Sequence, residues 1–226
     1  MMTLMERLES FNRKERFFLI GDALGNQSFQ LSADFRTRLG VAFGIKPPSN
    51  SFVAMDYHLD WIHASLFLAL PGKDEDAVYP NTDTVATGNQ EDVDLLVAFE
   101  QGDITHLLLI EAKAATGWTN KQTLSKAKRL KRIFGADGTR YPQVKPHFVL
   151  MSPRPPKQLK SRCWPAWMTQ NGQPIWFELK MPPGRRRVAR CDSGGRPSAE
   201  GAFFRVLSTS YSTSKPSECD KINKAQ

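Results

Sequence analysis

Cysteine is scarce in this chain. Of 226 residues three are cysteine, Cys163, Cys191 and Cys219, and none belongs to a CxxC pair. That excludes a disulfide framework and a cysteine-rich zinc module, and it fits a reducing, cytoplasmic setting. Long apolar runs are missing too. No stretch of 18 residues is free of charge and polarity, so no membrane span is expected. The N-terminus mixes Glu6, Glu9, Arg13, Lys14 and Glu15 into its apolar residues, unlike a signal peptide. Nucleotide signatures are lacking: there is no P-loop, no GxGxxG and no internal repeat. Acidic charge is short in one half only. Residues 145–226 hold 15 Lys+Arg and 5 Asp+Glu, whereas residues 1–144 hold 16 and 18. The formal charge of +8 and pI near 9.5 favour an anionic partner.

What is present concentrates in residues 91–114. Two apolar runs, Val93–Phe99 and Thr105–Ile110, flank Gly102-Asp103, a Gly-X pair of the kind that closes a tight hairpin. With those two residues as the loop, Gln101 faces Ile104. The same register sets Asp94 opposite Glu111 and Asp92 opposite Lys113. Alternation then puts all four on one face. Opposed carboxylates about 5 Å apart repel, and a divalent cation between them reverses the sign. Both runs are apolar on both faces, the pattern of central strands covered on two sides. Charges at the end of such strands are costly unless partnered. The plain alternative is a solvated strand end.

A helix is expected over Thr119–Phe134, with Thr119 as N-cap and Gly135 just past its end. Gln122, Lys126 and Arg129 share one of its faces. Asp94, Glu111-Ala112-Lys113 and this helix together resemble the PD-(D/E)XK nuclease superfamily. Val93 stands where that pattern has proline. The resemblance implies an α/β fold, restriction-endonuclease-like, with an α-β-β-β-α-β core, a mixed central sheet, N-terminal helices and a basic C-terminal extension. It implies Mg²⁺ or Mn²⁺ and hydrolysis of phosphodiester bonds. Asp94 and Glu111 would hold the metal with the Ala112 backbone carbonyl, and Asp60 would be an added ligand from the preceding helix. Lys113, Gln122 and Lys126 would serve at the water or phosphate.

The rest of the chain is organised around that core. Residues 1–55 are expected to be a helical extension, with one helix over Met5–Leu24 stopped by Gly25-Asn26. A second runs from a Ser32 cap to Leu39, before a loop at 40–52. The core is expected over 56–152: a helix at 56–70, a very short strand at Thr84–Ala86, the hairpin, the Thr119 helix and a strand at Lys145–Met151. Residues 153–208 would be a basic extension with an added strand at Ile175–Leu179, and 209–226 a flexible tail. Arg185, Arg186 and Arg187 have too little apolar context to be packing. With Lys126 and Arg129 they are assigned to nucleic acid, DNA before RNA. The function expected is a metal-dependent nuclease. The alternatives are a non-catalytic nucleic-acid-binding module on the same fold and a structural or regulatory subunit. A homodimer or a partner protein stays open.

Overall fold

The structure is a computed structural model that describes residues 2–11, 14–25, 29–89, 91–114, 117–182 and 184–208. Asn26, Cys219 and the 209–226 tail lie outside them.

The central element is a five-stranded mixed sheet. Its strands are β1 (Phe52–His58), β2 (Asp92–Gln101), β3 (Ile104–Ala112), β4 (Val144–Ser152) and β7 (Trp176–Glu178), and they lie side by side in that order. Two short strands, β5 (Thr169–Gln170) and β6 (Gln173–Pro174), form a hairpin of their own just before β7. β1–β2 and β2–β3 pair antiparallel, while β4 and β7 continue the sheet parallel to β3. The β2–β3 register is the expected one, from Gln101↔Ile104 to Leu95↔Ile110, and Gly102 turns the chain at φ 61°. Here a positive φ is needed, and glycine supplies it without a Cβ clash.

The strands read as continuous apolar runs because helices cover both faces. On one face Leu96, Ala98, Leu107, Leu109, Phe148 and Leu150 pack with α1 (Leu4–Ser10), α4 (Leu59–Leu68) and α5 (Asn120–Phe134). On the other, Val97, Phe99, Leu108, Ile110 and Val149 pack with Leu39 of α3 (Ala33–Phe43). α5 is the crossover between parallel strands β3 and β4, and it buries Ala127, Leu130, Ile133 and Phe134. Among the described residues no helix is long and apolar enough to cross a membrane.

Under the second face two histidines meet between β3 and β4. His106 Nδ1 and His147 Nε2 are 2.9 Å apart, with nearly parallel rings. Phe99 stacks on His106, and Phe43 meets His147 edge-on. Burial pushes His147 down to about 3, helped by His106 and Lys145, and burial also lowers His106.

Several expectations change. Residues 56–70 are not one helix: β1 ends at His58, and α4 starts at the next residue. The strand hides in sequence because no linker separates it from the helix. At Asp56 its backbone also turns to φ 50°. The first strand of the sheet therefore begins inside the expected N-terminal extension. The expected Thr84–Ala86 strand is absent there, Val85 being buried from a loop. The single Met5–Leu24 helix is two, α1 and α2 (Glu15–Leu24). α1 has a Thr3–Glu6 capping box and ends at Phe11, which is extended. α3 runs past Leu39 to Phe43, where Gly44 closes it at φ 68°. An additional sheet of two strands, β8 (Arg186–Cys191) and β9 (Phe203–Ser208), carries the arginine run.

Tyr57 fastens α1 to the sheet. Its fully buried hydroxyl donates to the Leu8 carbonyl at 2.9 Å. Tyr57→Phe should lower stability by about 1–2 kcal/mol, because the carbonyl is left buried without that donor. Denaturant unfolding that gave an unchanged midpoint would show the bond carries no net weight.

Candidate active site

The hairpin ladder ends at Leu95–Ile110, and the strands then bring their acidic ends together beneath α5. Glu111 is 8% exposed. Asp94 reaches across, and its Oδ2 accepts the Ala112 N–H at 2.6 Å. Lys126, projecting from the second turn of α5, bonds both the Glu111 carboxylate and the Asp92 carbonyl. Burial raises the Glu111 pKa to about 7; Lys126 pulls it down, Asp94 pushes it up, and Lys113 pulls it down more weakly. The buried carboxylate thus sits among three charges contributed by β2, the end of β3 and α5. Lys113 follows directly after β3, where its backbone N–H donates to the Met151 carbonyl of β4 at 2.9 Å.

A further ring of charge comes from the N-terminal helices. Lys14, the residue before α2, pairs with Asp92 Oδ2. Arg16 pairs with Asp56 at 2.9 Å. In the β1–β2 register Asp56 lies abreast of Asp94, between the Met55↔Leu95 and Tyr57↔Val93 pairs. Asp92 Oδ1 is buried and has no hydrogen-bond partner among the described residues. Asp92 was expected to face Lys113, but the β2–β3 ladder ends at Leu95↔Ile110; Asp92 pairs with His58 on the β1 side and takes Lys14 as its cation. Nothing local in sequence announces Lys14 or Arg16 as neighbours of this site, since both are distant in the chain.

Three assignments change. Arg129 is not available to nucleic acid: it is 7% exposed and pairs with Asp60 and, at 3.4 Å, with Glu91. Asp60, expected beside the metal, binds Arg129 and also accepts the backbone N–H groups of Thr87 and Gly88. The pair thereby anchors Val85, Thr87, Gly88 and Glu91 to α4 and α5. Gln122 is exposed, and its Oε1 accepts from the Thr119 hydroxyl at 3.1 Å, so it serves the helix start and not the carboxylates. Lys126, expected near the carboxylates as well as at nucleic acid, lies beside Glu111 and pairs with it. Arg185, Arg186 and Arg187 are exposed on or next to β8, outside the central sheet.

The donors here are carboxylate and carbonyl oxygens, the hard set that Mg²⁺ and Mn²⁺ take. Asp94, Glu111 and the orphaned Asp92 oxygen fit such an ion in kind. Among the described residues no group of three or more His, Cys, Asp and Glu side chains is placed so as to hold a metal ion, so the fit is one of donor chemistry alone. No protein-family model, curated protein or solved structure matches the chain.

The raised Glu111 carboxyl has a consequence for stability. The folded chain keeps its proton to about pH 7, whereas the unfolded chain releases it near 4.5. Between those values the folded state binds the extra proton, so stability falls as pH rises through the window and levels off above 7. The span corresponds to up to about 3 kcal/mol. In EDTA, denaturant unfolding of the parent relative to Glu111→Gln should show that decline. A pH-independent difference would place the Glu111 carboxyl at an ordinary pKa.

Arg129→Met should cost about 2 kcal/mol, since half-buried Asp60 loses its cation and keeps only the Thr87 and Gly88 N–H groups. Its affinity for nucleic acid, measured well below the melting temperature, should match the parent's.

Proposed function

We propose that the chain is a Mg²⁺- or Mn²⁺-dependent nuclease of the PD-(D/E)XK kind, hydrolysing phosphodiester bonds in nucleic acid, DNA before RNA. The observation that carries this reading is Glu111: a carboxylate buried at the end of a central strand, raised to about 7, between Asp94 and Lys113. Strand directions support it. Three antiparallel strands are followed, after a crossover helix, by a parallel fourth. Apart from α4, inserted between β1 and β2, that order agrees with the α-β-β-β-α-β core on a mixed sheet that the resemblance implies.

Asp94, Glu111 and the Ala112 carbonyl would hold the metal. A bound divalent cation supplies neutralisation of phosphate charge and a water of lowered pKa. The chain's own groups do the rest. Asp94 is oriented by the Ala112 N–H, which fixes one of its oxygens and leaves the other for a ligand. Lys113 forms no ion pair among the described residues, so its ammonium is the cation free to steady a developing phosphate charge or to orient the attacking water. Lys126 holds Glu111 in place as a positioning residue and competes with any added cation for that carboxylate. Glu111 is buried while Asp94, Lys113 and Lys126 are half-buried, so the interactions of Glu111 are the ones strengthened most by partial exclusion of water.

A non-catalytic nucleic-acid-binding module is the second reading, and one observation favours it. Asp56, Asp92 and Glu111 each have an internal cation, Arg16, Lys14 and Lys126. Incubation with supercoiled plasmid and linear single strands, in Mg²⁺, Mn²⁺ or EDTA, separates the two. The nuclease reading expects metal-dependent cutting that falls at least about a hundredfold in Asp94→Asn, Glu111→Gln and Lys113→Ala, consistent with the loss of one electrostatic group. Lys113→Ala should keep affinity within about threefold. Binding without cutting on every substrate would establish the module, and parental rates in all three variants would remove these residues from the chemistry.

A further inference from the structure

The β8–β9 ribbon forms a sheet separate from the central one, and its two faces differ. The ladder pairs Arg186 with Ser208, Val188 with Val206, and Arg190 with Phe204. Alternation puts these six side chains on one face. That face is open: Val188 is 67% exposed, Phe204 71% and Val206 53%. The other face carries Arg187, Arg205 and Phe203 but also buried Cys191 and half-buried Ala189 and Leu207. The ribbon is held in shape at its base. Arg190 donates twice to the Gly201 carbonyl, at 3.1 and 3.0 Å, and a Cβ at Gly201 would stand 2.1 Å from the Cys191 carbonyl oxygen. An apolar strip flanked by arginines is costly in water, so it calls for a partner that is anionic at its edges and apolar between.

Charge decides which partner. Residues 185–205 hold six arginines against Asp192 and Glu200, and neither Arg186 nor Arg190 has a carboxylate partner among the described residues. Arg186 and Arg190 lie about 13 Å apart along the strand, a distance over which one strand of a duplex presents about four phosphates. A two-stranded ribbon has the width of the B-form major groove, where valine and phenylalanine can meet thymine methyl groups. The A-form major groove is too deep and narrow for it.

Resting on the nucleic-acid reading above, we infer that the Arg186–Val188–Arg190 face of the β8–β9 ribbon docks B-form duplex DNA in its major groove. The arginine run is thereby split. Arg186 and Arg190 bind through this face, whereas Arg187 and Arg205 point away from it.

The test is fluorescence anisotropy of the full chain with a labelled DNA duplex in EDTA, which removes cleavage from the readout. Arg186→Ala/Arg190→Ala should weaken binding at least tenfold and make the slope of log K against log salt shallower by about 2. Arg187→Ala/Arg205→Ala removes the same charge from the other face and should cost less than threefold. Phe204→Ser, which keeps the charge, should weaken duplex binding and leave the salt slope unchanged. A matching RNA duplex should bind at least tenfold more weakly than DNA. Circular dichroism and thermal unfolding of each variant establish that the body of the protein is intact, and Arg186→Ala alone, which leaves the Arg190–Gly201 bonds, should already weaken binding at least threefold and lower the salt slope by about 1. Equal losses from the two arginine pairs would reduce the effect to net charge and overturn the inference, as would equal affinity for RNA duplex. Tighter binding to anionic phospholipid vesicles than to DNA, or an open-face variant that dissociates a dimer, would assign the face to a membrane or to a second copy. The nuclease reading fails separately: face-specific binding without cutting sinks it alone, and cutting that survives the open-face substitutions sinks the docking alone.

Discussion

Placing one ionisable carboxyl at the end of a strand buried on both faces constrains much of this molecule. Glu111 cannot be solvated there, and it cannot be left alone. Lys126 must therefore come from α5, which fixes where the crossover helix begins and how it lies over the sheet. Asp94 must accept the Ala112 N–H, which decides how the hairpin splays after Leu95. Lys14 and Arg16 then bring the start of α2 to the same edge, because Asp92 and Asp56 make the same demand. The carboxyl end of β3 thus joins elements that are far apart in sequence, and the cost of burying charge is offset by the pairings that result.

The two ends of the chain treat charge in opposite ways. At the acidic edge Lys14, Arg16 and Lys126 each have a carboxylate and Lys113 does not, while Arg129 is given to Asp60 and Glu91. In the β8–β9 ribbon arginine outnumbers acid and remains at the surface. The chain thus pairs its cations near the buried carboxylates and leaves arginines unpaired by carboxylates on the small separate sheet.

What sequence shows here depends on distance along the chain. The hairpin was legible because a two-residue loop fixes register, and every pair from Gln101 to Leu95 follows from Gly102-Asp103. The α5 boundaries were legible from Thr119 and Gly135, residues that act on their immediate neighbours. β1 was not, because Asp56, Asp60 and His63 have helical spacing and the strand passes into α4 without a break. The ends of α1 and α2 were blurred for a similar reason, an apolar periodicity that continues across Phe11. Arg129 and Lys126 look alike among the basic residues on one helix face. Only the fold reveals that one lies over Asp60 and the other over Glu111. The partners of Asp92 and Asp56 depend on how α2 meets the sheet, which no local pattern encodes.

The contact between His106 and His147 acquires significance from the direction of its strands. An antiparallel hairpin takes its alignment from its turn, but β3 and β4 run parallel and are separated by a whole helix. Sliding one past the other by two residues would return every side chain to its own face and keep the core apolar, so hydrophobicity alone leaves several alignments nearly equivalent. Two ring nitrogens 2.9 Å apart remove that equivalence. One ring must donate and the other accept, and each shifted alignment would leave both buried without that partner. The pair works as a peg between two sliding rails: it adds little to the strength of the sheet and selects one alignment from among the others.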